Sequence, residues 1–118
     1  MQKSKALAAL GSLAQETRLE IFRLLVQAGP EGLPAGEIAG RLRQPSPTLS
    51  FHLNHLKHAG LAKRRRESRS IIYSADFTTM TGLMAYLTEN CCGGRTELCG
   101  PLACAPTGST ASESRRKA

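Results

Sequence analysis

The sequence predicts a mainly α fold carrying one small β-hairpin. Three observations predict it. Five segments place apolar residues at helical spacing, and Gly, Pro or short polar stretches separate them. Two neighbouring strand-like runs follow the fourth segment, with a short polar turn between them. From Gly93 the composition shifts to Gly, Pro, Ser, Thr and Cys, and no core-forming stretch remains. The folding unit is therefore expected to be residues 1–92. Residues 93–118 are expected to be a flexible, cysteine-containing tail.

Residues 3–13, KSKALAALGSL, read as a first helix interrupted by Gly11. Residues 15–28, QETRLEIFRLLVQA, read as a second. Leu19, Phe22, Leu25 and Val26 fall on one face, with Ile21 and Leu24 beside them. Gly29-Pro30 stops that helix, and GPEGLP is a turn. Residues 34–43 make a short third helix with Ile38, Ala39 and Leu42 inward. Gln44-Pro45 breaks it. Ser46 is a suitable N-cap and Pro47 suits the first helical position, so a fourth helix runs over 47–58. Ala59-Gly60 ends it.

Leu61 to Arg66 and Ser70 to Ala75 are the two strand-like runs, joined by Glu67-Ser68-Arg69. They form a hairpin with a basic tip. Residues 77–90 read as the last helix, with Met80, Leu83, Met84 and Leu87 as an apolar stripe. So small a unit offers that stripe little to pack on, which favours a dimer.

Sixteen Lys plus Arg against nine Asp plus Glu give a formal net charge of +7. This balance points to a polyanionic partner, nucleic acid first, and its location matters more than its size. No apolar run is long enough to span a membrane. The N-terminal apolar stretch is too short for a secretion signal, so a cytoplasmic location with reduced cysteines is expected. No nucleophile-base-acid set and no glycine-rich phosphate loop is visible, so an enzyme is not expected.

The third helix, a tight turn and the fourth helix make a helix-turn-helix, and the hairpin behind it makes it winged. At about 100° per residue, Leu49, His52, Leu53 and Leu56 share one side of the fourth helix and should bury. Pro47, Phe51, Asn54 and His58 project opposite, flanked by Ser50, His55 and Lys57. This outward face carries no acid, unlike an ordinary solvated face. It suits a major groove: Asn54 can bond a base edge, Ser50 a base or phosphate, and Phe51 can pack on a thymine methyl. Ser46 and Thr48 sit at the N-terminal end, which favours phosphate. In the hairpin, Arg64, Arg66 and Arg69 are the candidates for the DNA backbone or minor groove. The DNA-contact set is thus Ser46, Thr48, Ser50, Phe51, Asn54, His55, Lys57, Arg64, Arg66 and Arg69. His52, on the buried face, reads as a core or supporting residue. His55 and His58 stand at metal-ligand spacing too, but DNA contact fits their surroundings better.

The stretch SPTLSFHLNHLKHAGLAKRRRESRSIIYSAD resembles the core of the ArsR/SmtB family of winged-helix repressors, and LAALGSLAQETRLEIFRLL resembles that family's opening. The similarity covers roughly residues 4–90. The resemblance implies a homodimer joined through the first and last helices. It also implies an operator in double-stranded DNA with two-fold symmetry, and release of that DNA when a metal or metalloid binds.

All four cysteines fall late in the chain, at Cys91, Cys92, Cys99 and Cys104. Clustered thiols point to a soft metal, a metalloid or redox chemistry. Adjacent cysteines pair poorly with each other, because the small ring strains the peptide between them. RLRQPSPT, before the fourth helix, has no cysteine, and residues 77–90 have no histidine. Two sites described for the family are therefore not matched. YLTENCCGG instead resembles arsenite-responsive members with a cysteine pair at the end of the last helix. As(III) takes three thiolates in a pyramid, and Cys91, Cys92 and Cys99 can supply them; Sb(III) is a second inducer of the same kind. Cys104 can replace Cys99 or take a fourth position. Four thiolates would instead suit Zn(II) or Cd(II), although the spacing lacks the CxxC of structural zinc sites. Thiol oxidation keeps DNA binding and changes the signal. A thiol-rich metal carrier with an incidental basic surface is the reading from another class, and it requires no salt-dependent DNA affinity.

Overall fold

The computed structural model describes residues 1–90 and Gly93. The described residues divide into two units, Met1–Leu83 and a second that begins at Met84. The elements in order are α1 (Lys3–Leu13), α2 (Glu16–Ala28), β1 (Leu33–Pro34), α3 (Ala35–Leu42), α4 (Ser46–His58), β2 (Ala62–Glu67), β3 (Ser70–Ala75) and α5 (Phe77–Leu87). All but the last turn of α5 belong to the first unit. The fold is a winged helix-turn-helix, mainly α, with one small antiparallel sheet among the described residues.

α1 runs through Gly11 without interruption, and a Cβ there would meet nothing within 4 Å. Its buried face is Ala6, Ala9 and Ser12, at three-residue spacing. Leu7 and Leu10 project away from that face into solvent. α2 starts where the Gln15 side chain accepts from the Arg18 backbone N–H at 2.9 Å. It packs on β3, α4 and α1. Its buried residues are Ile21, Phe22 and Leu25, whereas Leu19 is 44% exposed. The expected face was thus rotated. On a helical wheel the buried arc centres on Leu25 and Arg18, because α2 turns a hydrogen-bonded arginine inward rather than Leu19.

The expected 29–34 turn contains a strand. Leu33 pairs with Tyr73 and Pro34 with Ile72, giving a three-stranded sheet in the order β1-β3-β2. Pro34 is tolerated because β1 is an edge strand. Gly32 precedes it at φ +73, and a Cβ there would collide with the Tyr73 carbonyl. β2 and β3 pair from Ala62↔Ala75 to Glu67↔Ser70, so the connecting turn is Ser68-Arg69 alone. Leu61, expected in the strand, is instead fully buried before it, and its carbonyl accepts from Asp76 N–H at 2.8 Å.

α3 ends at Arg43, which adopts the left-handed conformation at φ 55. Ser46 does not cap α4. Pro45 takes that place, and its carbonyl accepts from Leu49 N–H at 2.9 Å, so Ser46 and Pro47 lie in the first turn. A proline is harmless there because its missing N–H has no intrahelical partner to lose. Leu49, Leu53 and Leu56 bury against α2, α3 and β2, together with Ile38, Leu61 and Leu25.

α5 is opened by Asp76, whose carboxylate accepts from Thr79 N–H at 3.2 Å. Leu83 is buried. The second unit contributes Met84 to Asn90 and Gly93 to the described residues. The helix stops at Leu87, three residues before the expected end: Thr88 Oγ1 donates back to the Met84 carbonyl at 2.7 Å and Asn90 is left-handed at φ 56. Met84 and Leu87 are exposed. No helix among the described residues is long and apolar enough to cross a membrane.

Candidate nucleic-acid interface

α4 divides as its periodicity requires. Leu49, His52, Leu53 and Leu56 are buried. Ser46, Pro47, Thr48, Ser50, Phe51, Asn54, His55 and His58 are exposed, and Lys57 is half-buried. Phe51 is 61% exposed, a large apolar ring held in water beside polar neighbours. An open groove of about 400 Å³ runs between Phe51, Asn54, His55, His58 and Ala59 of the α4 end and Ala8 of α1. His58 Nδ1–H donates to the Asn54 carbonyl at 2.8 Å, one turn back on the same helix.

The hairpin sorts its cations by strand alternation. Arg64 and Arg66 share the side of Ala62, while Lys63 and Arg65 take the other. Arg65 is occupied: Nε donates to Glu67 at 2.9 Å and Nη2 to the Glu31 carbonyl at 2.9 Å. It braces the hairpin against the loop before β1. Arg64, Arg66 and Arg69 are exposed and have no acidic partner among the described residues. The three arginines singled out from sequence are thus the exposed hairpin arginines that no described acidic side chain engages.

Sequence reasoning missed the polar cluster behind α4. His52 is buried at 9% exposure. Arg18 Nη1 donates to His52 Nδ1 at 3.2 Å, and Arg18 Nε donates to the Ser12 carbonyl at 2.8 Å. Arg18 thus satisfies an open carbonyl at the C-terminus of α1 and a buried imidazole at once. Ser12, only 1% exposed, shares a hydrogen bond between Oγ and His55 Nδ1 at 2.9 Å. Burial, the Arg18 guanidinium and then His55 hold the His52 imidazole below its ordinary pKa. One signal was present: Ser12 continues the Ala6-Ala9 spacing, and a hydroxyl at a core position requires a partner.

No three His, Cys, Asp or Glu side chains among the described residues are placed to hold a metal ion. Cys91, Cys92, Cys99 and Cys104 lie outside the described residues.

A family model described as a helix-turn-helix domain matches residues 13–65. The transcriptional activator HlyU of Vibrio cholerae is 30% identical over 89 residues, covering 75% of this chain and 80% of that protein. Among solved structures, an ArsR-like transcriptional regulator from Rhodococcus matches at TM-score 0.63 and 27% identity, over 71% of this chain and 76% of that one. A homodimeric winged helix-turn-helix domain from Mycobacterium bovis, described as a possible ArsR-family regulator, matches at TM-score 0.59 and 26% identity, over 74% and 81%. A possible transcriptional regulator for arsenical resistance matches at TM-score 0.59 and 25% identity, over 67% and 79%.

Proposed function

The chain belongs to the ArsR family of winged-helix transcriptional regulators, and on that premise we propose that it is a homodimeric repressor released from operator DNA by As(III) or Sb(III). It is a regulator with a helix-turn-helix DNA-binding domain, not an enzyme. The observation that carries the DNA reading is the exposed face of α4, which has no acid and lies on the same unit as Arg64, Arg66 and Arg69, exposed and without an acidic partner among the described residues. Phe51 and Asn54 read base edges from the major groove, with His55 beside them. Ser46, Thr48, Ser50 and Lys57 hold phosphates at the two ends of α4. The three arginines engage the flanking backbone or minor groove.

α1 and α5 form the dimer interface in this reading. Its support is the apolar surface they leave in solvent: Leu7 and Leu10 on α1, Met84 and Leu87 on α5. A two-fold dimer places two α4 helices on one side and requires an operator with matching symmetry.

The inducer reading rests on donor chemistry. Three thiolates suit a thiophilic metalloid, and Cys91, Cys92 and Cys99 would hold it, with Cys104 as a substitute or fourth donor. The similarity to a protein described as a possible transcriptional regulator for arsenical resistance supports the same ligand class. The bound metalloid supplies a preference for the DNA-incompetent state; a coupling of several kcal/mol shifts the balance by roughly three or four decades. The test is arsenite titrated into the complex of the full-length dimer with a duplex it has enriched from a random library. Release is expected for the wild type and lost in a Cys91→Ser, Cys92→Ser double variant. Release that persists in the double variant removes these residues from the site, and release by Zn(II) or oxidant but not arsenite changes the signal.

A further inference from the structure

We propose that Ser12 and Arg18 are positioning residues for the DNA-reading face of α4, holding Phe51 in place through His55 and His52. The proposal rests on the reading of α4 given above. Neither residue faces the outer side of α4. Ser12 is buried on α1, and Arg18 is half-buried in the inward arc of α2. Each grips a different histidine of α4: Ser12 Oγ meets His55 Nδ1 at 2.9 Å, and Arg18 Nη1 donates to His52 Nδ1 at 3.2 Å. Arg18 also ties the two grips together, because its Nε donates to the carbonyl of Ser12 itself.

Both histidine rings then meet the same exposed aromatic edge-on. The Phe51 and His52 centroids are 5.4 Å apart with planes at 65°, and the Phe51 and His55 centroids 6.4 Å apart at 63°. Such edge-to-face pairs restrain a ring that otherwise stands in solvent. A side chain that reads a thymine methyl or a base step must be presented in one orientation before contact, since ordering it on binding costs affinity. The arrangement supplies that order from behind the helix. It also attaches the reading face to α1, the helix whose opposite side exposes Leu7 and Leu10.

The test compares two duplexes: one enriched by the full-length wild type from a random library, and a scrambled duplex of the same composition. Ser12→Ala removes only the hydroxyl. It is expected to weaken the enriched duplex about three- to tenfold, roughly the worth of one intramolecular hydrogen bond, and to leave the scrambled duplex within about twofold. Ser12→Thr is expected to restore the ratio. The aromatic proton resonances of Phe51 should shift in Ser12→Ala and return in Ser12→Thr, a change that loss of stability alone does not produce. Arg18→Lys, measured the same way, is the second variant should Ser12→Ala fail to fold, and the same selective loss is expected. Equal losses on both duplexes, or an unchanged ratio in a folded dimer, overturn the proposal alone. A wild type that enriches no duplex overturns the reading of α4 and the proposal with it.

Discussion

Arg18 Nη1 lies 3.2 Å from His52 Nδ1, and a guanidinium donates but never accepts. His52 therefore accepts at Nδ1, and its neutral form carries the proton on Nε2. Protonation would set two positive groups against each other in a buried place. This direction agrees with the lowered pKa, whose largest cause is burial, followed by Arg18 and His55.

A pH dependence follows. Between the lowered folded value and the ordinary imidazole value of about 6.5, the unfolded chain binds a proton at His52 that the folded chain refuses. Stability therefore rises with pH across that window, and falls as pH drops from about 6.5 toward the folded value. Urea unfolding at fixed protein and salt concentration should show the midpoint falling between about pH 7 and pH 5. His52→Asn, whose Oδ1 takes the place of Nδ1 as the acceptor for Arg18, should show a shallower slope. Parallel slopes in the two proteins would remove His52 as the cause.

Core burial predicts a contrast between two leucines. Leu53 is 1% exposed on α4, while Leu19 is 44% exposed on α2. Leu53→Ala leaves a cavity and should cost about 2–5 kcal/mol. Leu19→Ala should stay within about 0.5 kcal/mol. Chemical denaturation at matched dimer concentration checks both. A costly Leu19→Ala would mean that the surface of α2 is covered by something beyond this chain.

These two leucines also mark how far the sequence could be read. The inward face of α4 was legible because Leu49, Leu53 and Leu56 repeat at helical spacing with no strong competitor. On α2, apolar residues occupy more than one face, and spacing could not tell which side the fold would use. The choice was made by Arg18, whose partners Ser12 and His52 come from two other helices. β1 was illegible for a related reason. Two residues carry no period, and their pairing is with Tyr73 and Ile72, far along the chain. The roles of Arg64 and Arg66 against Arg65 were half legible. Alternation separated them, but the grip of Arg65 on Glu31 is a tertiary fact.

Two glycines should respond in opposite senses to alanine. Gly32 sits at φ +73 with the Tyr73 carbonyl where a Cβ would be. Gly32→Ala must strain the backbone and push β1 from β3, costing more than about 1 kcal/mol. Gly40 lies within α3 with nothing near its missing Cβ. Gly40→Ala should stabilise by about 0.5–1 kcal/mol, because alanine loses less backbone freedom on folding. Thermal unfolding of the two variants gives the comparison, and a shared sign would contradict the local geometry.

The hairpin arginines make a sharper prediction because neighbours in sequence should behave differently. Arg66 is exposed, shares its side of β2 with Arg64, and has no acidic partner among the described residues. If it meets a phosphate, Arg66→Ala weakens enriched and scrambled duplexes alike and reduces the slope of log affinity against log salt by roughly 0.9. Arg65 spends its guanidinium on Glu67 and the Glu31 carbonyl. Arg65→Ala should leave that slope unchanged and instead loosen the contact between the hairpin and the loop before β1, seen as faster amide exchange in β1 and β2. Affinity measured from about 50 to 200 mM salt resolves the two cases. Equal slope changes in both variants would mean that strand alternation does not sort these cations, and that the internal bonds of Arg65 give way when DNA binds.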